Sequence, residues 1–243
     1  MNYKDWNEYF LSNQGHFRDI DFDAEDKLTH RERSTIKESL QQFQRGENSE
    51  GKHLFSYARM NQDPDYLPCI SLFIREEQSH ARVLGSFMAK HCIRRISGHW
   101  VDGVFRWLRQ LAGLENTIRV LLTAEIIAKV YYDALHDATR SILLRKICNQ
   151  ILKDEDKHIE FQCYTLSLFK RKSFLGDWLK RCWNFTLMFG TILIVWLHHR
   201  KVYTKGGYGF RRVVVTTMNV YFEVERSIRK QPSFIRKKEM STA

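Results

Sequence analysis

Two Glu-x-x-His motifs, Glu77-Gln78-Ser79-His80 and Glu155-Asp156-Lys157-His158, are the part of this sequence most able to do chemistry. Residues three apart share a helix face, so each motif can offer one carboxylate and one imidazole to the same metal ion. Two such helices facing each other would supply two Glu and two His. A pair of ions needs more carboxylates, to bridge them and balance their charge, and those must come from other helices. Glu125 is the only acidic residue between Glu115 and Asp133. Upstream of the first motif, Glu47 and Glu50 compete. Glu47 precedes Glu77 by 30 residues, the separation of Glu125 from Glu155, which favours Glu47 and keeps Glu50 as the alternative ligand.

A third match, Glu50-Gly51-Lys52-His53, shows that the motif alone is weak evidence. The bland reading makes Glu77 and Glu155 solvated helix residues. Against it, both fall at positions in phase with apolar residues, where an uncompensated carboxylate is costly. His53 and His136 read as surface or partner-bonded histidines. Tyr132 stands two turns beyond Glu125 on the same face, a candidate for gating or redox work, with core packing as the alternative.

Four helices must position these groups. Apolar residues at steps of three and four predict helices over about Thr35–Met60, Tyr66–His91, Glu115–His136 and Ala138–Phe169. The first should stop before Asn61-Gln62-Asp63-Pro64. Short links within each pair and a long connection between pairs predict an all-α fold, a four-helix bundle with one crossover. A shorter amphipathic segment, Val101–Leu111, lies in that crossover, with Trp100, Phe105 and Trp107 expected to cover the bundle. The expected organisation is a lead-in over 1–31, the bundle over 32–170 and a basic extension over 171–243.

The set Glu47, Glu77-x-x-His80, Glu125 and Glu155-x-x-His158 resembles the ferritin-like di-iron carboxylate superfamily. That superfamily includes rubrerythrins, ribonucleotide reductase small subunits and aldehyde-deformylating oxygenases. The string Gly46-Glu47-Asn48-Ser49, followed by Tyr57-Ala58, resembles the first metal helix of rubrerythrin-like proteins. The resemblance covers about residues 32–170. It implies two Fe ions, with Fe/Mn as the variant. It further implies bridging roles for Glu77 and Glu155, terminal roles for Glu47 and Glu125, and one His ligand per ion, His80 and His158. Glu76 and Asp154, each preceding a ligand Glu, would accept hydrogen bonds from the opposite ligand His. The implied activity is O₂- or peroxide-dependent oxidoreduction, on an unidentified hydrophobic organic substrate. A ferroxidase or peroxide-scavenging role is the alternative, and a non-enzymatic, metal-stabilised adaptor is a third. Ala81, Gly85, Ala124 and Ala128 are small residues that would leave room for a substrate.

The chain has 243 residues and a formal net charge of +11. Residues 1–165 are nearly neutral, with 23 basic and 24 acidic side chains, whereas the last 78 carry 16 basic and 4 acidic ones. Such asymmetry points to an anionic partner. The excess surrounds an apolar run over 182–199, bracketed by Lys180-Arg181 and Arg200-Lys201. That run is short for a membrane span and includes Asn184, Thr186, Gly190 and Thr191. A buried fifth helix is expected, with a membrane-inserted or interfacial helix as the alternative. From Thr204 onward a Gly-rich turn and the β-branched run Val213–Thr217 leave the secondary structure unassigned. An anionic membrane surface is one candidate partner for 171–243, with a merely solubilising tail as the alternative. No motif organises its aromatic and basic residues for nucleic acid, which is disfavoured. Homodimer formation stays open. Five cysteines, none in CxxC spacing, argue against zinc ribbons and rubredoxin-type sites. With no apolar stretch at the N-terminus, a cytoplasmic location is expected, peripheral to a membrane in the second reading.

Overall fold

The computed structural model describes residues 1–48, 51–60, 63–97, 113–169 and 174–230. All regular structure among them is helical: α1 (Tyr3–Ser12), α2 (His30–Glu47), α3 (Lys52–Arg59), α4 (Tyr66–Lys90), α5 (Gly113–Ala138), α6 (Ile142–Ser167), α7 (Phe174–Lys205) and α8 (Phe210–Lys230). Glu50, the segment 101–111 and the aromatic residues Trp100, Phe105 and Trp107 lie outside the described residues, as does the side chain of His53.

Local signals start and stop these helices. Thr29 and Glu32 form a reciprocal capping box at the start of α2, and Glu32 also accepts the Arg140 backbone N–H at 2.7 Å. Ser141 caps α6 through Leu144 N, so that helix begins later than the expected Ala138. The single helix expected over Thr35–Met60 is two helices. Gly51 sits between them in the left-handed region, at φ 59°, which a continuing right-handed helix does not admit.

Cross-helix contacts fix the directions. Gln44 and Arg33 of α2 reach Ala81 O and Cys92 O, at and just beyond α4. His80 of α4 meets Asp154 of α6, while Glu76 faces His158. Gln162 and Asp156 of α6 meet Glu125 and Lys129 of α5. In each pair the numbers rise on one helix as they fall on the other, so the neighbours run antiparallel. Ile36, Leu40, Leu84, Ile126, Leu144 and Ile151 fill the interior between them.

The two ends of the chain complete this arrangement. α1 buries Tyr3, Trp6 and Phe10 and packs on α4. The segment beyond Thr204, unassigned from its sequence, turns at Gly206-Gly207 into α8, so Val213–Thr217 is helical. α7 and α8 both pack on α5, which is therefore buried around most of its circumference. The apolar run 182–199 forms the middle of the longer α7. One of its faces is buried through Met188, Ile192 and Val195, and the other is exposed. No helix among the described residues is long and apolar enough to cross a membrane.

The α7–α8 turn packs closely on α5, with Tyr208 hydrogen-bonded to Asp133 and Gly206 against the Ala134 backbone. A Cβ on Gly206 would sit 2.2 Å from the carbonyl oxygen of Ala134, closer than van der Waals contact allows. Backbone cannot rotate aside as a side chain can. Gly206→Ala is therefore expected to destabilise the fold by about 1–3 kcal/mol, read as a lower urea midpoint at unchanged slope. An unchanged midpoint would show that the turn does not bear on α5.

Candidate metal centre

Six ionisable side chains converge between the C-terminal end of α2 and the middles of α4, α5 and α6. Glu47 comes from the last residue of α2, Glu77 and His80 from α4, Glu125 from α5, and Glu155 and His158 from α6. Both histidines are fully buried, and Glu47, Glu125 and Glu155 expose at most 7% of their side chains. Glu77 is the most open, at 17%.

The geometry divides the six into two overlapping groups. Glu47, Glu77, His80 and Glu155 bring ligand atoms within 4.8 Å of one another, and so do Glu77, Glu125, Glu155 and His158. Glu77 and Glu155 belong to both. Oε1 of Glu77 lies 3.8 Å from His80 Nδ1 and 3.0 Å from His158 Nδ1. The two oxygens of Glu155 divide in the same way, Oε1 at 3.8 Å from His80 and Oε2 at 3.9 Å from His158. Glu47 approaches only His80, at 3.8 Å, and Glu125 only His158, at 3.6 Å.

Surrounding residues fix how each of these side chains points. Tyr132 donates its hydroxyl to Glu47 Oε1 at 2.5 Å, leaving Oε2 turned toward His80. Gln162 donates to Glu125 Oε1 at 2.9 Å, leaving Oε2 turned toward His158. On the far side of each imidazole, His80 Nε2 hydrogen-bonds Asp154 Oδ2 at 3.1 Å and His158 Nε2 faces Glu76 Oε1 at 3.4 Å. Both Nδ1 atoms therefore point into the cluster. Carboxylates in this outer position hold a ligand imidazole in orientation and raise its basicity.

Residues outside the expected set extend this shell. Asn13, just after α1, donates to both Glu76 Oε1 (2.9 Å) and Asp154 Oδ1 (3.1 Å). His16 Nε2 lies 3.0 Å from Asp154 Oδ2, and Gln150 donates to Oδ1 at 2.9 Å. Phe10 and Phe73 pack against the His158 ring, and Phe17 against His80. The lead-in is thus a lid of aromatic and polar groups over one side of the cluster. The spacing of Tyr3, Trp6 and Phe10 was the available signal for its helix; nothing in the sequence tied Asn13 or His16 to residues some 140 positions away. Gln162 was legible in principle, two turns beyond Glu155 on the same face.

Other expectations fall elsewhere. His136 lies at the surface, 3.0 Å from Asp137 and accepting from Arg145. The space expected beside Gly85 is taken by the Arg95 guanidinium, which a Cβ there would meet at 2.3 Å. All five cysteines are free thiols, and none joins the cluster.

The charge state of the metal-free cluster follows from burial. Burial, with the nearby charges of Glu125 and Glu47, pushes Glu77 up to about 8. Burial and the Glu125 carboxylate raise Glu155 well above the carboxylate range, while its neighbours Glu155 and His158 hold Glu125 low in spite of its own burial. Burial disfavours the His80 cation, but Asp154 and Glu47 outweigh it and raise His80 to about 10. His158 is raised in the same way by Glu125, Glu76 and Glu77. Asp154, though buried, is held below the usual carboxylate range by His16 and His80.

Even so, Glu77 Oε1, His80 Nδ1, both oxygens of Glu155 and His158 Nδ1 are buried without a hydrogen-bond partner. Buried polar atoms are rarely left so, and these five all face one another. A pair of divalent cations would satisfy them together. Oxygen and imidazole donors without thiolate suit iron or manganese. The arrangement is compatible with a di-iron site. Sequence comparison finds no matching protein-family model and no matching curated protein. The assignment of a metal therefore rests on the donor set and its geometry.

Metal binding must displace protons here. The folded values of Glu77 and His80 lie above their ordinary 4.5 and 6.5, so their protonation stabilises the metal-free fold at low pH. That contribution is lost as pH rises through about 8 for Glu77 and about 10 for His80. Metal affinity changes in the opposite sense, rising over the same range. The gap in Tm between metal-loaded and metal-free protein should widen from pH 6 to pH 9, with protons released on metal uptake. A constant gap without proton release would contradict this.

Proposed function

We propose that the protein is an O₂-activating di-iron oxidoreductase of the ferritin-like type, acting on a hydrophobic organic substrate. The observation that carries this reading is the near two-fold pattern of the cluster. Two carboxylates approach both histidines, one further carboxylate serves each histidine, and each imidazole is backed by an acid on the opposite helix. The order of the contributing helices, with the long connection between α4 and α5, supports the ferritin-like bundle.

Glu47, Glu77, His80 and Glu155 would hold one ion, and Glu77, Glu125, Glu155 and His158 the other. When bound, such a pair supplies the electrons for reducing O₂ or peroxide that amino-acid side chains lack. The chain's own groups do the rest. Tyr132 and Gln162 hold one oxygen of each terminal carboxylate, which keeps the other aimed inward. Asp154 and Glu76 hold the Nε2 side of each ring, so that once deprotonated at Nδ1 each imidazole would present that atom to a metal. The aromatic wall of Phe10, Phe17 and Phe73 keeps bulk water from the histidines. Glu77, the most open of the six, marks the side from which a reactant would approach.

Tyr66, Ile70, Phe73, Ile118 and Phe161 line a small apolar recess together with Gln162, the residue that holds Glu125, with room for about one water-sized group.

The test is O₂ uptake by Fe(II)-loaded protein with an excess of reductant, with and without long-chain hydrocarbon, fatty-acid and quinone substrates. The reading predicts sustained uptake coupled to oxidation of one of these classes, reduced in the Glu155→Ala variant to the rate of free Fe(II). Oxidation of added Fe(II), or reduction of peroxide at the expense of the reductant, with no organic product, would replace it by the ferroxidase or peroxidase reading. Activity unchanged in Glu155→Ala would exclude the cluster as its seat.

A further inference from the structure

The face of α7 turned away from the protein is apolar along most of its length. Leu175, Leu179, Phe189, Leu193 and Leu197 recur at helical spacing on that face and expose 38–65% of their surface. Trp178 and Trp183 flank this stripe and are more than half exposed. From residue 175 to 197 the stripe runs for about 33 Å. No charged residue interrupts it between Arg181 and Arg200. Single exposed hydrophobics need no explanation, but a stripe of this size, broken only by Cys182 and Thr186, marks an interaction surface.

We propose that α7 lies in the plane of an anionic membrane, with this stripe sunk among the acyl chains and the surrounding basic residues on the headgroups. Three observations select this occupant. The opposite face of α7 is packed on α2 and α5 through Met188, Ile192, Val195 and Val202, so only one side is free to meet lipid and the helix cannot span. Charge is complementary: Arg181, Arg200, Lys201 and Lys205 stand exposed at the two ends of the stripe, and α8 beside it exposes Arg211, Arg226 and Arg229 against Glu223 alone. A second copy docked by the same face would set these basic residues against their equivalents. Finally, exposed tryptophans beside a leucine stripe suit the boundary between headgroup and acyl chain. The docking depends on α7 and α8 only, not on the presence of metal. Combined with the proposed function, it would bring the site to substrates dissolved in lipid.

Full-length protein, metal-loaded and metal-free, is sedimented with vesicles of phosphatidylcholine alone or mixed with phosphatidylglycerol. Both forms should bind the mixed vesicles at least about 10-fold more strongly than the neutral ones, because each basic residue at the surface adds to the attraction. The Leu193→Glu/Leu197→Glu variant, at exposed positions, should keep its helicity and lose binding to both. Arg200→Glu/Lys201→Glu should lose the anionic preference while retaining weak binding to neutral lipid. Absence of vesicle binding by the parent protein would overturn the proposal. So would a parent dimer that the leucine variant converts to monomer without vesicle binding, since a second copy would then cover the stripe. Binding confined to the metal-loaded form would also overturn it.

Discussion

Four carboxylates and two imidazoles cannot share one dry interior without compensation, and the rest of this molecule is arranged around that constraint. Like charges at these separations repel strongly where water is excluded. In the metal-free protein the relief comes from protons: Glu77 and Glu155 hold theirs far above the usual carboxylate range, and the histidines stay cationic. That solution leaves five polar atoms without hydrogen bonds. Cations would meet the same demand more completely. The outer residues fit that account: Tyr132, Gln162, Asp154 and Glu76 each leave one atom of the side chain they hold turned inward.

The cluster also explains the architecture. α4 and α6 run antiparallel, so the acid preceding one ligand Glu lands behind the ligand His of the other helix. α2 and α5 each contribute one carboxylate at matching depth. α1 closes one side with Phe10, Asn13 and His16, while α7 and α8 wrap α5 on another. Burying α5 so completely fixes Glu125 and Tyr132 in place. A surface helix would not hold a carboxylate to the few tenths of an ångström that metal coordination needs.

Much of this could be read in the sequence, for identifiable reasons. The helical repeat places Glu47, Glu77, His80, Glu125, Glu155 and His158 on interior faces, and the equal 30-residue separations bring them to one level. The acids Glu76 and Asp154 were legible from their place beside the ligands. What could not be read depends on contacts between distant segments. Asn13 and His16 matter only because α1 folds back on α4 and α6. The break at Gly51 turns on a backbone angle that the apolar periodicity does not encode. α8 stayed unassigned because Val213–Thr217 favours strand locally, whereas packing on α5 and α6 makes it helical. The run 182–199 was apolar enough to suggest burial, but composition does not reveal which of its faces is left uncovered.

The central claim is that the cluster binds two metal ions, and crystals of the iron-loaded protein test it most directly through anomalous scattering at the iron edge. Two peaks are predicted between Glu77 and Glu155, one beside His80 and Glu47 and the other beside His158 and Glu125. Protein that remains free of iron at the cluster, with all six side chains intact, would contradict the claim.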